Sequence, residues 1–222
     1  MMLHWLSDPV EMVDAWLASG LSGTGLVVVL VLAALLGLRH ATDPDHLVAV
    51  TALVTGEPGA GPRRAARLGA WWGAGHATVL LVAGGPLILA DAALPAWVAA
   101  TAERVIGAVI VALAVRMLWR WRRRRTTGAH TPVPGRTTHQ SVALGALHGL
   151  GGTGTIVLLL ATELPSATDA LLALAIFAPM SVVSMTACTA LYGRLLAHPR
   201  TTRAIPALAL GSLAFGAWYA SV

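Results

Sequence analysis

The sequence predicts an all-α, polytopic membrane protein with six transmembrane helices, and three observations lead there. Of 222 residues, 56% are hydrophobic and only 11% are charged, with a mean hydropathy of +0.73. A water-soluble globule does not carry that composition. Apolar stretches long enough to span a bilayer recur along the chain, and most arginines gather beside alternate ends of them, as loops sorted across a membrane require.

A spanning helix needs about 20 apolar residues, and six stretches qualify: 26–55, 68–90, 98–118, 141–162, 170–191 and 204–221. The first is too long for one upright helix, at about 45 Å if straight, and too short to cross twice. It therefore predicts a long, tilted helix broken near Pro44. Pro86 and Pro179 predict kinks in the second and fifth spans. Residues 1–25 form an N-terminal lead-in, interfacial or disordered, because Asp8, Pro9, Glu11 and Asp14 interrupt residues 1–20 as a seventh span. With no basic start and no small-residue cleavage site, that segment does not resemble a signal peptide.

A basic linker, residues 119–140, separates a first three-helix half (26–118) from a second (141–222). Its Gly128, Pro132, Pro134 and Gly135 have the composition of a flexible connection. Across it, Leu36-Gly37-Leu38-Arg39-His40 matches Leu144-Gly145-Ala146-Leu147-His148 as LG..H, each copy in the first span of its half. Because three is odd, the second half runs through the bilayer inverted relative to the first, an arrangement common among secondary transporters.

The arginines set the expected orientation. Arg63, Arg64, Arg67, Arg116, the run Arg120 to Arg125 around Trp121, Arg136, Arg194, Arg200 and Arg203 fall on one side of a six-span chain, and Arg104 lies near the other. That places loops 56–67, 119–140 and 192–203 in the cytoplasm of a cell with this protein in its inner membrane, with both termini outside. The same placement turns the +5 net charge into a topological signal, so no nucleic-acid partner is expected. Trp5, Trp16, Trp97, Trp119, Trp121 and Trp218 lie near span ends as interface anchors.

Residue types exclude several chemistries. The chain has no lysine, so a P-loop, a Schiff base and a Ser-Lys nucleophile are absent. Cys188 is the lone cysteine, which leaves no thiolate cage. Gly149-Leu150-Gly151-Gly152-Thr153-Gly154 fits GxGxxG but follows no strand, and is rejected as a dinucleotide site. No enzymatic activity and no resident cofactor are expected.

The informative segment is Arg39-His40-Ala41-Thr42-Asp43-Pro44-Asp45-His46 within the first span. A charged group at the bilayer centre costs about 2.5 to 3.5 kcal/mol on the insertion scale, so these residues need partners, water or an ion. Arg39 and Asp43, at i and i+4, can pair with each other. On an unbroken helix His40, Asp43 and His46 share one face; a break at Pro44 would free the His40 carbonyl and swing Asp45 toward the histidines. His76 and His148 lie in other spans. By count from the arginine-side span ends, His46, His76 and His148 sit at one depth, about 10 to 14 Å in. Neutral imidazole and carboxylate suit nickel(II), cobalt(II), zinc or iron(II). The candidate metal ligands are therefore His40, Asp43, Asp45, His46, His76 and His148. His4, His130, His139 and His198 lie outside the spans and read as solvated.

His40, four intervening residues, Asp45 and His46 reproduce the HX4DH signature of the nickel/cobalt transporter family, which this chain resembles over residues 26–160. Leu68 to His76 is similar to that family's next span, and Gly145 to Thr153 resembles its urease accessory protein H branch. The resemblance implies a metal-ion permease in which His40, Asp45 and His46 are needed for transport. Typical members have eight spans and a later acidic motif; here Thr153, Gly154 and Thr155 stand in its place, with His148 as the expected substitute. Uptake of Ni2+ or Co2+ is the expected function, with the lipid bilayer and the divalent ion as partners. Two rivals are an exporter of the same metals and a membrane cytochrome using pairs of histidines on haem.

Overall fold

A computed structural model describes residues 25–54, 61–127, 137–196, 198 and 204–221. The lead-in 1–24, residues 128–136 of the linker, His4 and His130 lie outside them. Among the described residues all regular structure is helical: α1 (Leu26–His40), α2 (Pro44–Val54), α3 (Pro62–Val79), a π turn (Leu80–Gly84), α4 (Gly85–Leu89), α5 (Ala96–Thr127), α6 (Thr138–Glu163), α7 (Ala167–Leu196) and α8 (Ile205–Tyr219).

Three helical runs, Pro62–Leu89, Ala96–Arg123 and Ala167–Leu196, are each long and apolar enough to cross a membrane. The pair Leu26–His40 and Pro44–Thr51, bent by 43°, makes a fourth. The chain is a multi-pass helical membrane protein. α8 is apolar but only 15 residues long, shorter than the expected last span.

The break between α1 and α2 falls where Pro44 predicts it. Pro44 has no amide hydrogen and disfavours helical backbone at the residue before it. The last turn of α1 tightens in response: Thr42 N donates to Arg39 O at 2.8 Å and Asp43 N to His40 O at 3.2 Å. The His40 carbonyl is therefore satisfied by its own chain rather than left open. Leu38 O, whose usual donor has turned to Arg39, accepts from Ser184 Oγ of α7. A side chain from a distant helix thus stitches the break.

Pro86 acts differently. The helix widens into the π turn Leu80–Gly84 just before it, and Pro86 starts the next α-helical piece. Widening removes the clash and the lost bond that a proline imposes on a continuous α-helix. At Pro179, by contrast, α7 continues without interruption. α5 runs past the expected end at 118 to Thr127, because arginine is a good helix former and Arg123 stacks over Trp119 one turn back, 4.8 Å from its ring centre. α6 starts on a capping box, Thr137 accepting from Gln140 N and Gln140 Oε1 accepting from Thr137 N, both at 3.3 Å.

α3 is the centre of the packing, against α7 and α6; α1 lies on α7, and α5 on α8. Glycines permit the closest of these approaches. A Cβ on Gly145 of α6 would collide with the Trp72 carbonyl and reach within 3.0 Å of His76 N in α3; one on Gly37 of α1 would lie 2.5 Å from Phe177 O and 3.2 Å from Ser181 N in α7. Two apolar clusters result. One, at the arginine-poor end, joins Val29, Ala33 and Leu36 of α1 to Val157, Leu160, Leu174 and Phe177. The other, at the arginine-rich end, joins Val50 and Leu53 of α2 to Leu68, Trp72 and Met185. The α1–α2 break lies between them.

Candidate metal centre

His40 is the last residue of α1, Asp45 and His46 open α2, His76 lies near the end of α3, and His148 is in α6. The four histidines are only 0 to 8% exposed, so water does not satisfy their nitrogens. Their ring centres are neighbours: His40 to His46 at 4.4 Å, His46 to His148 at 4.5 Å, His40 to His76 at 4.9 Å and His46 to His76 at 5.3 Å. His40, His46 and His76 each offer a nitrogen within 4.8 Å of the others, and Asp45, His46 and His148 do the same with their own ligand atoms. His46 belongs to each trio.

The hydrogen bonds assign the tautomers. An ionised carboxylate only accepts, so His46 Nδ1 donates to Asp45 Oδ1 at 3.0 Å and His148 Nε2 donates to Asp45 Oδ2 at 2.9 Å. His40 Nδ1 lies 3.1 Å from Asp43 Oδ2, an ion-pair contact that favours the proton on that nitrogen. Each neutral ring then keeps a lone pair on its other nitrogen. That of His40, on Nε2, accepts from His76 Nε2 at 3.0 Å, which puts the His76 lone pair on Nδ1. Three of these lone-pair nitrogens, His46 Nε2, His76 Nδ1 and His148 Nδ1, are buried with no hydrogen-bond partner. Buried acceptors without donors are costly; an electron-pair acceptor such as a metal cation relieves that cost.

Break geometry thus turns Asp45 toward two histidines from two different helices. Asp43 is placed otherwise: its Oδ1 pairs with Arg39 at 3.3 Å and its Oδ2 holds His40. It orients one histidine and partly neutralises the arginine, and it stands outside the two trios. A carboxylate that fixes the tautomer and orientation of a histidine is the usual outer partner of a ligating imidazole.

Aromatic walls flank the cluster, and sequence reading did not single them out. Phe177 of α7 lies 5.2 Å from His40, on the side of the arginine-poor cluster. Trp72 of α3 lies 5.5 Å from His46 and 5.8 Å from His148, on the side of the arginine-rich one. Their only sequence signal was position, Trp72 one turn before His76 and Phe177 one turn before Ser181. The neighbouring imidazoles, 4.4 to 5.3 Å between ring centres, leave no slot for a porphyrin plane between them, which argues on steric grounds against the haem reading. His139 and His198 are exposed and apart from the cluster.

The chain is similar to urease accessory protein UreH of Bacillus sp. (strain TB-90), with 27% identity over 179 residues, 76% of this chain and 77% of that protein. This bears out the resemblance read from the motifs. No protein-family model matches the chain, and no solved structure matches it.

Proposed function

We propose, from the premise that this chain is a relative of the urease accessory protein H branch of nickel/cobalt transporters, that it is a permease carrying a divalent transition-metal ion, nickel or cobalt, into the cytoplasm. The observation that carries this reading is the buried cluster in which the ligand atoms of His40, His46 and His76, and of Asp45, His46 and His148, come together, with nitrogens of His46, His76 and His148 left without a hydrogen-bond partner. These residues belong to separate helices and lie beside the break in the first span. In this reading His40, His46, His76 and His148 supply nitrogen to the ion, Asp45 supplies charge and holds two of the rings, and Asp43 orients His40. Soft thiolate is absent and the donors are imidazole and carboxylate, a set suited to nickel(II) and cobalt(II).

Transport needs the ion to meet one side at a time. The cluster around Phe177 and the cluster around Trp72 are the two barriers in this account, one toward each face. An inverted repeat would supply such a pair, and several reciprocal contacts support it. Gly37 meets the α7 backbone at Phe177 and Ser181 as Gly145 meets the α3 backbone at Trp72 and His76. His40 faces Phe177 as His148 faces Trp72. With α6 and α8 as the fourth and sixth spans, the six-span order puts the arginine-rich end in the cytoplasm.

No nucleotide motif is present in the sequence, so the energy comes from ion gradients or from a separate partner, and the membrane potential is sufficient in principle. Two charges moving through 100 mV release about 4.6 kcal/mol, enough for roughly a thousandfold accumulation. The test is uptake by cells carrying the gene, resolved for nickel, cobalt, zinc and manganese. Accumulation of nickel or cobalt above a deletion strain supports the reading; metal retained only when the gene is deleted reverses its direction and makes the protein an exporter.

A further inference from the structure

At the arginine-rich end, away from the histidine cluster, a cavity of about 730 Å³ opens between the starts of α3 and α6. Arg63, Arg64 and Arg67 line it from α3, and Thr137, Thr138 and His139 from α6. Not one carboxylate is among its described lining residues. Trp72 lies opposite Gly145 and His76 opposite Gly149, so the two helices run in the same direction and both present their amino ends here. A helix amino end carries partial positive charge and is ordinarily matched by acidic residues in the first turn. Neither helix has one, and α3 places Arg63 and Arg64 there instead. Three guanidiniums and two helix amino ends converge on one cavity.

The deeper wall is apolar. Leu68 and Trp71 line it one turn further along α3, and Trp71 is 43% exposed although it is a large aromatic. Such a cavity, cationic toward the aqueous end and apolar toward the bilayer, matches a phospholipid rather than a free anion. Tryptophan favours the headgroup level of a membrane, and basic pockets between spanning helices bind anionic headgroups.

We infer that this cavity is a binding site for an anionic phospholipid, its phosphate held by Arg63, Arg64 and Arg67 and its upper acyl chain laid along Leu68 and Trp71. It sits at the amino end of the helix that carries His76, about 13 Å along the axis from Arg67 to that residue. A bound lipid would brace α3 against α6, the two helices that bring His76 and His148 to the ion.

Native mass spectrometry of the purified full-length protein tests this with phosphatidylglycerol, phosphatidylcholine and inorganic phosphate as probes. The wild type should retain phosphatidylglycerol about tenfold over phosphatidylcholine. The triple variant R63Q/R64Q/R67Q should lose that preference to within about twofold, while R122Q/R123Q, which thins a different basic cluster, keeps it. A triple variant with the wild-type preference overturns the proposal, and so does inorganic phosphate at millimolar concentration displacing the lipid. Should the triple variant fail to fold, photo-crosslinking of the wild type with a headgroup-labelled phosphatidylglycerol decides instead. Adducts on the peptides carrying residues 63–71 or 137–139 support the site, and adducts confined to other segments overturn it.

Discussion

The Nε2 atoms of His40 and His76 lie 3.0 Å apart, joining the end of α1 to α3. Because Asp43 takes the Nδ1 proton of His40, the proton between the two rings belongs to His76. A cation that takes the His40 Nε2 lone pair must break this bond, either by turning the His76 ring aside or by moving its proton to Nδ1, so loading that nitrogen and uncoupling α1 from α3 are one event. Asp43 therefore matters without touching the ion. Asp43→Ala should lower nickel affinity about ten- to a hundredfold, the usual effect of removing an outer carboxylate from a ligating histidine. Titration calorimetry on the purified protein measures it; an unchanged affinity would show that the His40 tautomer is fixed by something else.

Asp45 holds two rings, His46 and His148, through its two oxygens. Asp45→Asn keeps the volume but removes the charge and turns one acceptor into a donor. The variant should bind nickel more weakly than Asp43→Ala, since two ligands lose their orientation and the ion loses a countercharge. The same titration ranks the two, and equal affinities would argue that Asp45 adds nothing beyond what Asp43 does.

Close helix approach brings the ligands together, and it depends on particular glycines. Gly145→Ala would drive a methyl group into the Trp72 carbonyl, and nothing lies within 4 Å of a Cβ at Gly211. The first should cost about 1 to 3 kcal/mol, as overpacking does; the second should leave stability unchanged or slightly raised. Thermal unfolding in detergent compares them. Similar melting temperatures for the two would mean that α3 and α6 are not held this tightly.

Ser184 donates to Leu38 O at the break. Ser184→Ala leaves a carbonyl without that donor and should cost about 1 to 3 kcal/mol. Hydrogen exchange should rise first at the α1–α2 junction, residues 38 to 47. Exchange raised uniformly, or only in α7, would put the role of Ser184 elsewhere.

Much of this site is legible in the sequence because membranes make polar residues conspicuous. Two aspartates, an arginine and two histidines inside an apolar stretch need a reason, Pro44 forces a break beside them, and depth counting places His46, His76 and His148 together. Local pattern does not show which oxygen meets which nitrogen. Asp43 and Asp45 are two residues apart and chemically alike, yet one turns to Arg39 and His40 and the other to His46 and His148. That division follows from how the chain reverses around Pro44, a tertiary outcome. Trp72 and Phe177 were hidden for another reason: in an apolar span a large aromatic is unexceptional until its neighbour is known. The helix outruns the apolar stretch, continuing past Arg120 to Thr127, because arginine marks a membrane boundary and favours helix at once.

The central claim is that His46, common to the two trios, is the shared ligand of a transported ion. Nickel-63 uptake by cells expressing wild type, His46→Ala and His198→Ala, each checked for equal membrane insertion, tests it most directly. His46→Ala should fall to the level of cells without the gene, and His198→Ala, at an exposed position away from the cluster, should match the wild type. Uptake at the wild-type rate in a correctly inserted His46→Ala protein would contradict the account.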